Sequence, residues 1–330
     1  MKVKFLRWIV LMVMINLILP ACDDDENEVQ QFQAGANDVT FESEGETIVA
    51  TLFLPQDFEN GQRLPSVVIS GPWTQVREQV GFRYGQILAD QGFATLAMDH
   101  RFWGESGGEP RFLESTTEKA TDIINSIDFL QDLPVVDANR IGALGVCAGV
   151  GNVSLAIASD DRIRAMATIS PWIQHPETTP LFYGGDEGVA NRIALAEAAR
   201  AEYEATGVMP TVPAYDPDDP EAAMFFPVDY YGNPERGNVT EWTNQFAVAS
   251  WQEWLELNSV EFAREVDVPV RIIYGEQTFL PQNITAYFNL LPNDNKDIFL
   301  IEGEHTQFYD QDPYVTNTTI SAAEHFRDNL

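Results

Sequence analysis

The stretch IGALGVCAGVGNVSLA (residues 141–156) passes from a short apolar segment, typical of a buried strand, into a segment with helical character. Gly145 and Gly149 flank Cys147 at this junction, and glycine tolerates the sharp, crowded turn that the junction requires. The pattern predicts a nucleophile elbow, in which the Cys147 thiol stands above the sheet beside backbone N–H groups. The other interpretation is a buried core cysteine, because free cysteine is among the most buried residue types.

Composition and charge narrow the class of protein. The chain has 330 residues, of which 45% are hydrophobic and 11% aromatic, so it can form a large core. Its formal net charge is −32 at pH 7, and a charge of that sign repels nucleic-acid phosphates. We therefore expect a globular protein that has no nucleic-acid partner.

The first 21 residues have the composition of an export signal. Three basic residues fall within the first seven positions, and an apolar run occupies residues 8–19. This run is shorter than the roughly 20 residues that a membrane-spanning helix needs. The following LPAC (residues 19–22) resembles a lipobox, with cleavage before Cys22 and lipid attached to its sulfur. We predict a lipoprotein signal peptide over 1–21, with a plain secretory signal as the alternative.

An acidic, glutamine-containing segment follows the predicted lipidation site. Residues 23–28 read DDDENE, and we predict a solvated tether over 22–37. Such a run is typical of surface-exposed bacterial lipoproteins, although it is equally consistent with a charged spacer. The prediction is an exported lipoprotein of the bacterial cell envelope, anchored through Cys22, in the outer membrane. Because the chain has two cysteines, Cys147 would then be the one thiol of the mature protein.

Strand-like and helix-like segments alternate over the predicted folded domain, residues 38–330. This alternation predicts an α/β fold with a mostly parallel central sheet, helices on both faces and ligands at the carboxyl edge of the strands. An aromatic-rich stretch over about 170–264 interrupts the alternation. We expect it to form a helical lid insertion, most of whose aromatic residues pack the lid onto the body.

Five motifs in order carry a family resemblance. They are GPWTQVREQ (71–79), DHRFWGESGGEPR (99–111), GVCAG (145–149), VDYY (228–231) and WTNQFAV (242–248). Together they resemble the cysteine-nucleophile α/β hydrolases of the dienelactone hydrolase type, and more closely the branch with polyketide transferases and thiohydrolases. The resemblance implies an α/β-hydrolase fold acting on the ester, lactone or thioester bond of a small acyl substrate. It implies an acyl-cysteine intermediate and no metal or organic cofactor.

A thiol nucleophile needs a base, and His305 is the candidate. It lies in GEHT (303–306), in the loop after the last predicted core strand, where the family places its catalytic histidine. His100 precedes the elbow, and His175 falls within the predicted lid. The alternative for His305 is an ordinary polar residue of a loop.

The third member of a triad is an acid that orients the imidazole. Related enzymes commonly carry an aspartate where this chain has Thr278, in the loop YGEQTF (274–279). Glu276 is the one carboxylate in that loop, and its longer side chain could reach the imidazole. We predict Glu276 as the acid, with Asp310 or Glu304 as substitutes. A cysteine and histidine dyad without an acid also stays open.

Two N–H groups are expected to stabilise an oxyanion. One is that of Ala148, directly after the nucleophile, and the other comes from the loop that follows the strand ending at Ser70. Pro72 has no N–H, so Trp73 is the predicted second donor, and Thr74 is the next candidate. We also expect the histidine and the start of the elbow helix to lower the pKa of Cys147. Glu78 is expected to pair with Arg77 or Arg101, or alternatively to hold the resting thiol.

Two other functions fit the same residues. An acyltransferase would use the same elbow with an alcohol or amine as the acceptor in place of water. A surface lipoprotein that binds a ligand or carbohydrate in the lid cleft, with catalysis lost, is suggested by Thr278 and Trp73. A peptidase is less favoured, because amides are harder to cleave.

Overall fold

In the computed structural model, which describes residues 31–330, the chain folds around an eight-stranded sheet. The strands of the sheet are β1 (Gly35–Ser43), β2 (Glu46–Leu54), β3 (Leu64–Ser70), β4 (Ala94–Met98), β5 (Val136–Val146), β6 (Ile163–Ile169), β9 (Val270–Gln277) and β10 (Lys296–Glu304). Their order is β1-β2-β4-β3-β5-β6-β9-β10. Pairing is antiparallel between β1 and β2 and between β2 and β4, and parallel at every other position. The predicted mostly parallel sheet is confirmed.

Helices follow most of the strands, and short elements lie between them. The helices are α1 (Phe82–Asp90), α2 (Thr116–Asp132), α3 (Gly149–Ser159), α4 (Gly185–Thr206), α5 (Asp229–Gly232), α6 (Ser250–Glu256), α7 (Ser259–Phe262), α8 (Pro281–Leu290), α9 (Gln307–Asp310) and α10 (Tyr314–Asn329). A π-helical turn, Arg77–Gly81, precedes α1, and 3-10 turns occupy Thr179–Leu181 and Ala263–Glu265. The short strands β7 (Thr211–Val212) and β8 (Phe246–Ala247) pair antiparallel with each other.

The central strand β5 shows why both faces of the sheet carry helices. Its Leu144 and Val146 belong to the core cluster that includes residues of α1 and α10. Ile141 and Ala143 belong to the opposite cluster, with residues of α2, α3 and α8. Successive side chains of a strand point to opposite faces, so the apolar second half of β5, residues 141–146, is buried from both sides. The predicted α/β-hydrolase fold, with helices on both faces, is confirmed.

The folded body begins before the start that the sequence suggested. β1 begins at Gly35, three residues before Asp38, and Phe32 is buried against the core. Glycine, asparagine and aspartate in β1 are poor strand formers, and pairing with β2 through the turn at Glu44 and Gly45 compensates for them. The predicted tether therefore overlaps the folded body over 32–37. The predicted signal peptide and Cys22 lie outside the described residues.

The chain leaves the sheet between β6 and β9, where the sequence predicted the lid over about 170–264. This excursion contains α4 to α7 and the β7–β8 pair, and α4 contacts α6. Side chains of the excursion join the same hydrophobic cluster as Cys147 and Trp73, so it is packed onto the sheet edge that carries the elbow. Within residues 31–330, none of the helices combines the length and the apolarity needed to cross a bilayer.

Candidate active site

Cys147 occupies a strained turn between β5 and α3. Its φ angle is 55°, in the left-handed region that residues with a Cβ seldom adopt. A Cβ at Gly149 would stand 2.1 Å from the Ser70 carbonyl oxygen, and one at Gly145 would stand 2.8 Å from Val150 Cα. Both glycines are therefore required for the turn. The structure places the thiol at the carboxyl edge of the sheet, as a nucleophile elbow demands.

Two backbone N–H groups and one phenol surround the sulfur. The N–H groups of Ala148 and Trp73 and the hydroxyl of Tyr309 lie beside the Cys147 sulfur. These donors favour the thiolate and lower the pKa of Cys147, but burial of the thiol has the larger, opposite effect. The net result is that burial raises the pKa of Cys147 to about 11. The expected lowering of this pKa is wrong, because burial of the thiol outweighs the neighbouring donors and His305 is neutral.

His305 follows β10, and three hydrogen bonds hold it in place. Its backbone N–H donates to the Gln277 carbonyl at 3.3 Å, and its carbonyl accepts from the Ser170 hydroxyl at 2.8 Å. Its Nδ1 lies 3.0 Å from the Thr278 hydroxyl oxygen. Nε2 is buried and has no hydrogen-bond partner within the described chain. The ring is thus held at one nitrogen while the other is free to exchange a proton.

Burial sets the protonation of this imidazole. It lowers the pKa of His305 to about 3, and no ionised group compensates for it. His305 is therefore neutral at physiological pH. If Thr278 accepts the Nδ1 proton, Nε2 carries the lone pair that a general base needs.

The structure does not bring Glu276 to the imidazole, and this corrects the predicted triad. Glu276 is exposed near the end of β9, whereas Thr278 at the following turn occupies Nδ1. The two alternative acids, Asp310 and Glu304, do not hydrogen-bond to the imidazole either. Asp310 accepts two hydrogen bonds from Arg236, at 2.7 and 2.9 Å, and Glu304 is exposed. Among residues 31–330, no carboxylate hydrogen-bonds to the His305 ring.

The loop that carries Trp73 is held in place by groups that the sequence did not reveal. Thr74 has a φ of 62°, and its N–H donates to the carboxylate of Glu114 at 3.1 Å. Its carbonyl accepts a 2.8 Å bond from the indole N–H of Trp242 in the lid. Glu114 is itself paired with Lys119, and both are buried. No local motif signals these contacts, because they join positions far apart in the chain.

The remaining histidine and carboxylate candidates are structural. His100 Nε2 lies 3.3 Å from the Ser70 hydroxyl and its Nδ1 lies 3.5 Å from Asp122, but all three side chains are buried away from solvent. Glu78 pairs with Arg77 at 3.3 Å, and burial raises the pKa of Glu78 to about 6. In the lid, His175 Nδ1 accepts a hydrogen bond from the backbone N–H of Glu177 at 3.2 Å.

Cys147 and His305 line the same cavity, whose walls are almost entirely apolar. The cavity measures about 40 Å³, room for a few water molecules. Its other walls include Trp73, Tyr309 and a set from the lid: Trp172, Tyr183, Met224, Phe226, Val228, Tyr231 and Trp254. Its lining contains no carboxylate, ammonium or guanidinium group. The site can therefore hold an uncharged, apolar group against the sulfur.

Comparisons with known proteins agree with this architecture. The chain is 30% identical over 291 residues to the uncharacterized protein PA2218 of Pseudomonas aeruginosa, covering 83% of this chain and 76% of that protein. It is 28% identical over 299 residues to the uncharacterized protein YcjY of Escherichia coli, covering 86% and 95%. The solved structure of PA2218 superposes with a TM-score of 0.77 at 27% identity, covering 92% of this chain and 97% of that one.

A further solved structure and a family model also match the chain. The α/β hydrolase GrgF from Penicillium superposes with a TM-score of 0.76 at 18% identity, covering 89% of this chain and 99% of that one, which supports the fold. The model of the X-Pro dipeptidyl-peptidase family matches residues 44–307. That match spans strands β2 to β10, the elbow, the lid and His305. The chain belongs to the X-Pro dipeptidyl-peptidase (S15) family of α/β hydrolases.

Proposed function

We propose that this protein hydrolyses carboxylic ester, lactone or thioester bonds through an acyl-cysteine intermediate on Cys147. The observation that carries the proposal is the convergence of the Ala148 and Trp73 N–H groups on the sulfur of a left-handed cysteine. A carbonyl group attacked by that sulfur would have its oxygen beside both donors. Preorganised donors of this kind supply the largest single contribution to many acyl-transfer reactions.

The proposed reaction has two halves. His305 Nε2 takes the Cys147 proton as the sulfur forms a bond to the carbonyl carbon, and the oxyanion accepts hydrogen bonds from Ala148 and Trp73. Collapse breaks the carbonyl bond to the leaving oxygen or sulfur, which receives the proton from His305. A water molecule then adds to the acyl-cysteine while His305 takes its proton. Release of the acid returns that proton to the thiol.

The geometry favours the dyad over the predicted triad. Cys147 and His305 share a cavity, and the Thr278 hydroxyl orients the imidazole in place of a carboxylate. No hydrogen bond between the thiol and the ring is present among the described residues. This is compatible with catalysis, because such bonds are often long before a substrate is bound.

The cavity favours an acyl group over a dipeptide. An X-Pro dipeptide carries an N-terminal ammonium group, which would be buried here without a carboxylate partner. A short aliphatic acyl chain needs no such partner. The acyltransferase alternative uses the same residues and differs in the acceptor alone, and the fungal relative grgF is named a polyketide transferase. The ligand-binding alternative requires that no acyl-enzyme forms.

Intact mass spectrometry tests the proposal. The protein is mixed with p-nitrophenyl esters and thioesters of short acyl chains and with an X-Pro p-nitroanilide, and quenched in acid. We expect the mass of one acyl group on the chain, mapped to the peptide that contains Cys147, with the esters and thioesters. Absence of any adduct together with absence of turnover would exclude the hydrolase and support the ligand-binding alternative. Turnover of the anilide alone would favour the peptidase.

Thr278 and Glu276 form a matched pair of substitutions for the orienting group. Thr278→Val removes the hydroxyl 3.0 Å from His305 Nδ1 at nearly constant volume, and leaves a buried ring N–H unpaired. We expect kcat/KM for a p-nitrophenyl ester to fall about tenfold. Glu276→Gln changes an exposed side chain, so we expect its kcat/KM to stay within a factor of two of wild type. A loss in Glu276→Gln with no loss in Thr278→Val would restore the predicted triad.

A further inference from the structure

A second cavity adjoins the first and has His305 as a common wall. It measures about 460 Å³, and it shares Val228, Phe279, His305 and Thr306 with the apolar cavity. A substrate bonded to Cys147 would therefore have its acyl group against the sulfur and its other half directed past the imidazole. This is also the side on which His305 must deliver a proton to the leaving group.

The walls of this second cavity are polar, in contrast to those of the first. They include three amide side chains, Gln277, Gln307 and Gln311, and two exposed carboxylates, Asp229 and Glu304. Within residues 31–330, the side chains of Gln277 and Gln311 make no hydrogen bond. Amide groups both donate and accept hydrogen bonds, so they suit hydroxyl groups.

The one cation of the second cavity is already neutralised. Arg236 donates to Asp310 at 2.7 and 2.9 Å, to Asp229 at 3.1 Å and to the Thr306 carbonyl at 3.0 Å. The positive charge of its guanidinium is therefore already paired with two carboxylates of the protein, those of Asp310 and Asp229. Because Glu304 adds a further negative charge, an anionic group would be repelled at this position.

We propose that this cavity, bounded by Asp229, Gln277, Gln307 and Gln311, is a leaving-group subsite for an uncharged polyhydroxylated alcohol, such as a sugar. The inference rests on the proposed function and specifies its substrate as an apolar acyl ester of a polyol. The hydroxyl groups donate to the carboxylates and exchange hydrogen bonds with the amides. An acyl thioester of an anionic carrier is disfavoured by the same charges.

A series of substrates that share one acyl group tests the effect of the leaving group alone on kcat/KM. The acetyl esters of methanol, of methyl glucoside at its primary hydroxyl, and of glycolate share one small acyl group and differ only in the leaving group. We expect kcat/KM for the glucoside ester to exceed that for the methyl ester about tenfold, as a few net hydrogen bonds would give. The glycolate ester, which is anionic, should be slower than the methyl ester. Rates are divided by those of hydroxide-catalysed hydrolysis to remove intrinsic reactivity.

Two glutamine substitutions test the location of the subsite. In Gln311→Leu the ratio of glucoside to methyl ester should fall towards one, because the amide that binds hydroxyl groups is gone. Gln56→Leu, at an exposed position in the loop after β2 at the other end of the sheet, should keep the wild-type ratio. A wild-type ratio of one, or a preference for the glycolate ester, would overturn the inference. If acyl-Cys147 still forms in those cases, the proposed function stands without the subsite.

Discussion

Replacing Cys147 with alanine is expected to lower ester hydrolysis about a thousandfold or more, because the attacking atom is removed and the oxyanion donors supply only part of the total acceleration. The thiol is small and the site is buried, so Cys147→Ala keeps the turn and changes little in packing. The measurement is kcat/KM for a p-nitrophenyl ester, with the thermal midpoint as the control for folding. Activity within tenfold of wild type would remove Cys147 from the mechanism.

The pH profile distinguishes the neutral dyad from a preformed ion pair. Burial raises the pKa of Cys147 to about 11 and lowers that of His305 to about 3. Between these values the free enzyme holds one neutral thiol and one neutral imidazole, so kcat/KM should be flat from about pH 5 to pH 9. His305→Ala should be several hundredfold slower at pH 7 and should gain activity tenfold per pH unit, because the thiolate must then form unaided. A wild-type inflection between pH 6 and pH 8 would contradict the neutral pair.

The sequence determined the elbow more fully than the residues that support it. Gly145, Cys147 and Gly149 are neighbours in the chain, so their steric requirement could be predicted locally. The strand and helix order followed in the same way from continuous apolar segments. β1 was the exception, because pairing with β2 rather than intrinsic propensity stabilises it.

The third group at the imidazole could not be predicted with the same method. Glu276 was chosen because it is the one carboxylate in its loop, an argument from residue type. In the structure, the place of each residue along β9 determines which side chain contacts the imidazole. β9 continues through Gln277 and leaves Glu276 exposed, and Thr278, the first residue after the strand, reaches His305 Nδ1. A departure from the usual aspartate was visible in the sequence, but the hydroxyl that replaces it became evident only from the distance to His305.

Replacing Glu114 with alanine is expected to impair both folding and the oxyanion site. Glu114 and Lys119 are buried as a pair, and removal of the carboxylate leaves an ammonium group without a partner. Breaking a buried ion pair on one side costs about 3–5 kcal/mol of unfolding free energy. The same change removes the acceptor of the Thr74 N–H, which holds the loop that presents Trp73.

A double substitution separates the effect on folding stability from the effect on the oxyanion site. Glu114→Leu with Lys119→Met replaces the pair by apolar groups of similar size, which is often neutral for stability. We expect denaturant unfolding to show most of the lost free energy restored. We expect kcat to stay about tenfold or more below wild type with KM little changed, because the N–H of Trp73 is no longer held beside the oxyanion. Wild-type kcat in the stable double variant would make Glu114 a folding residue alone. A persistent loss in kcat would show that the buried pair positions the second oxyanion donor, and that Trp73 acts through a loop fixed from the interior of the protein.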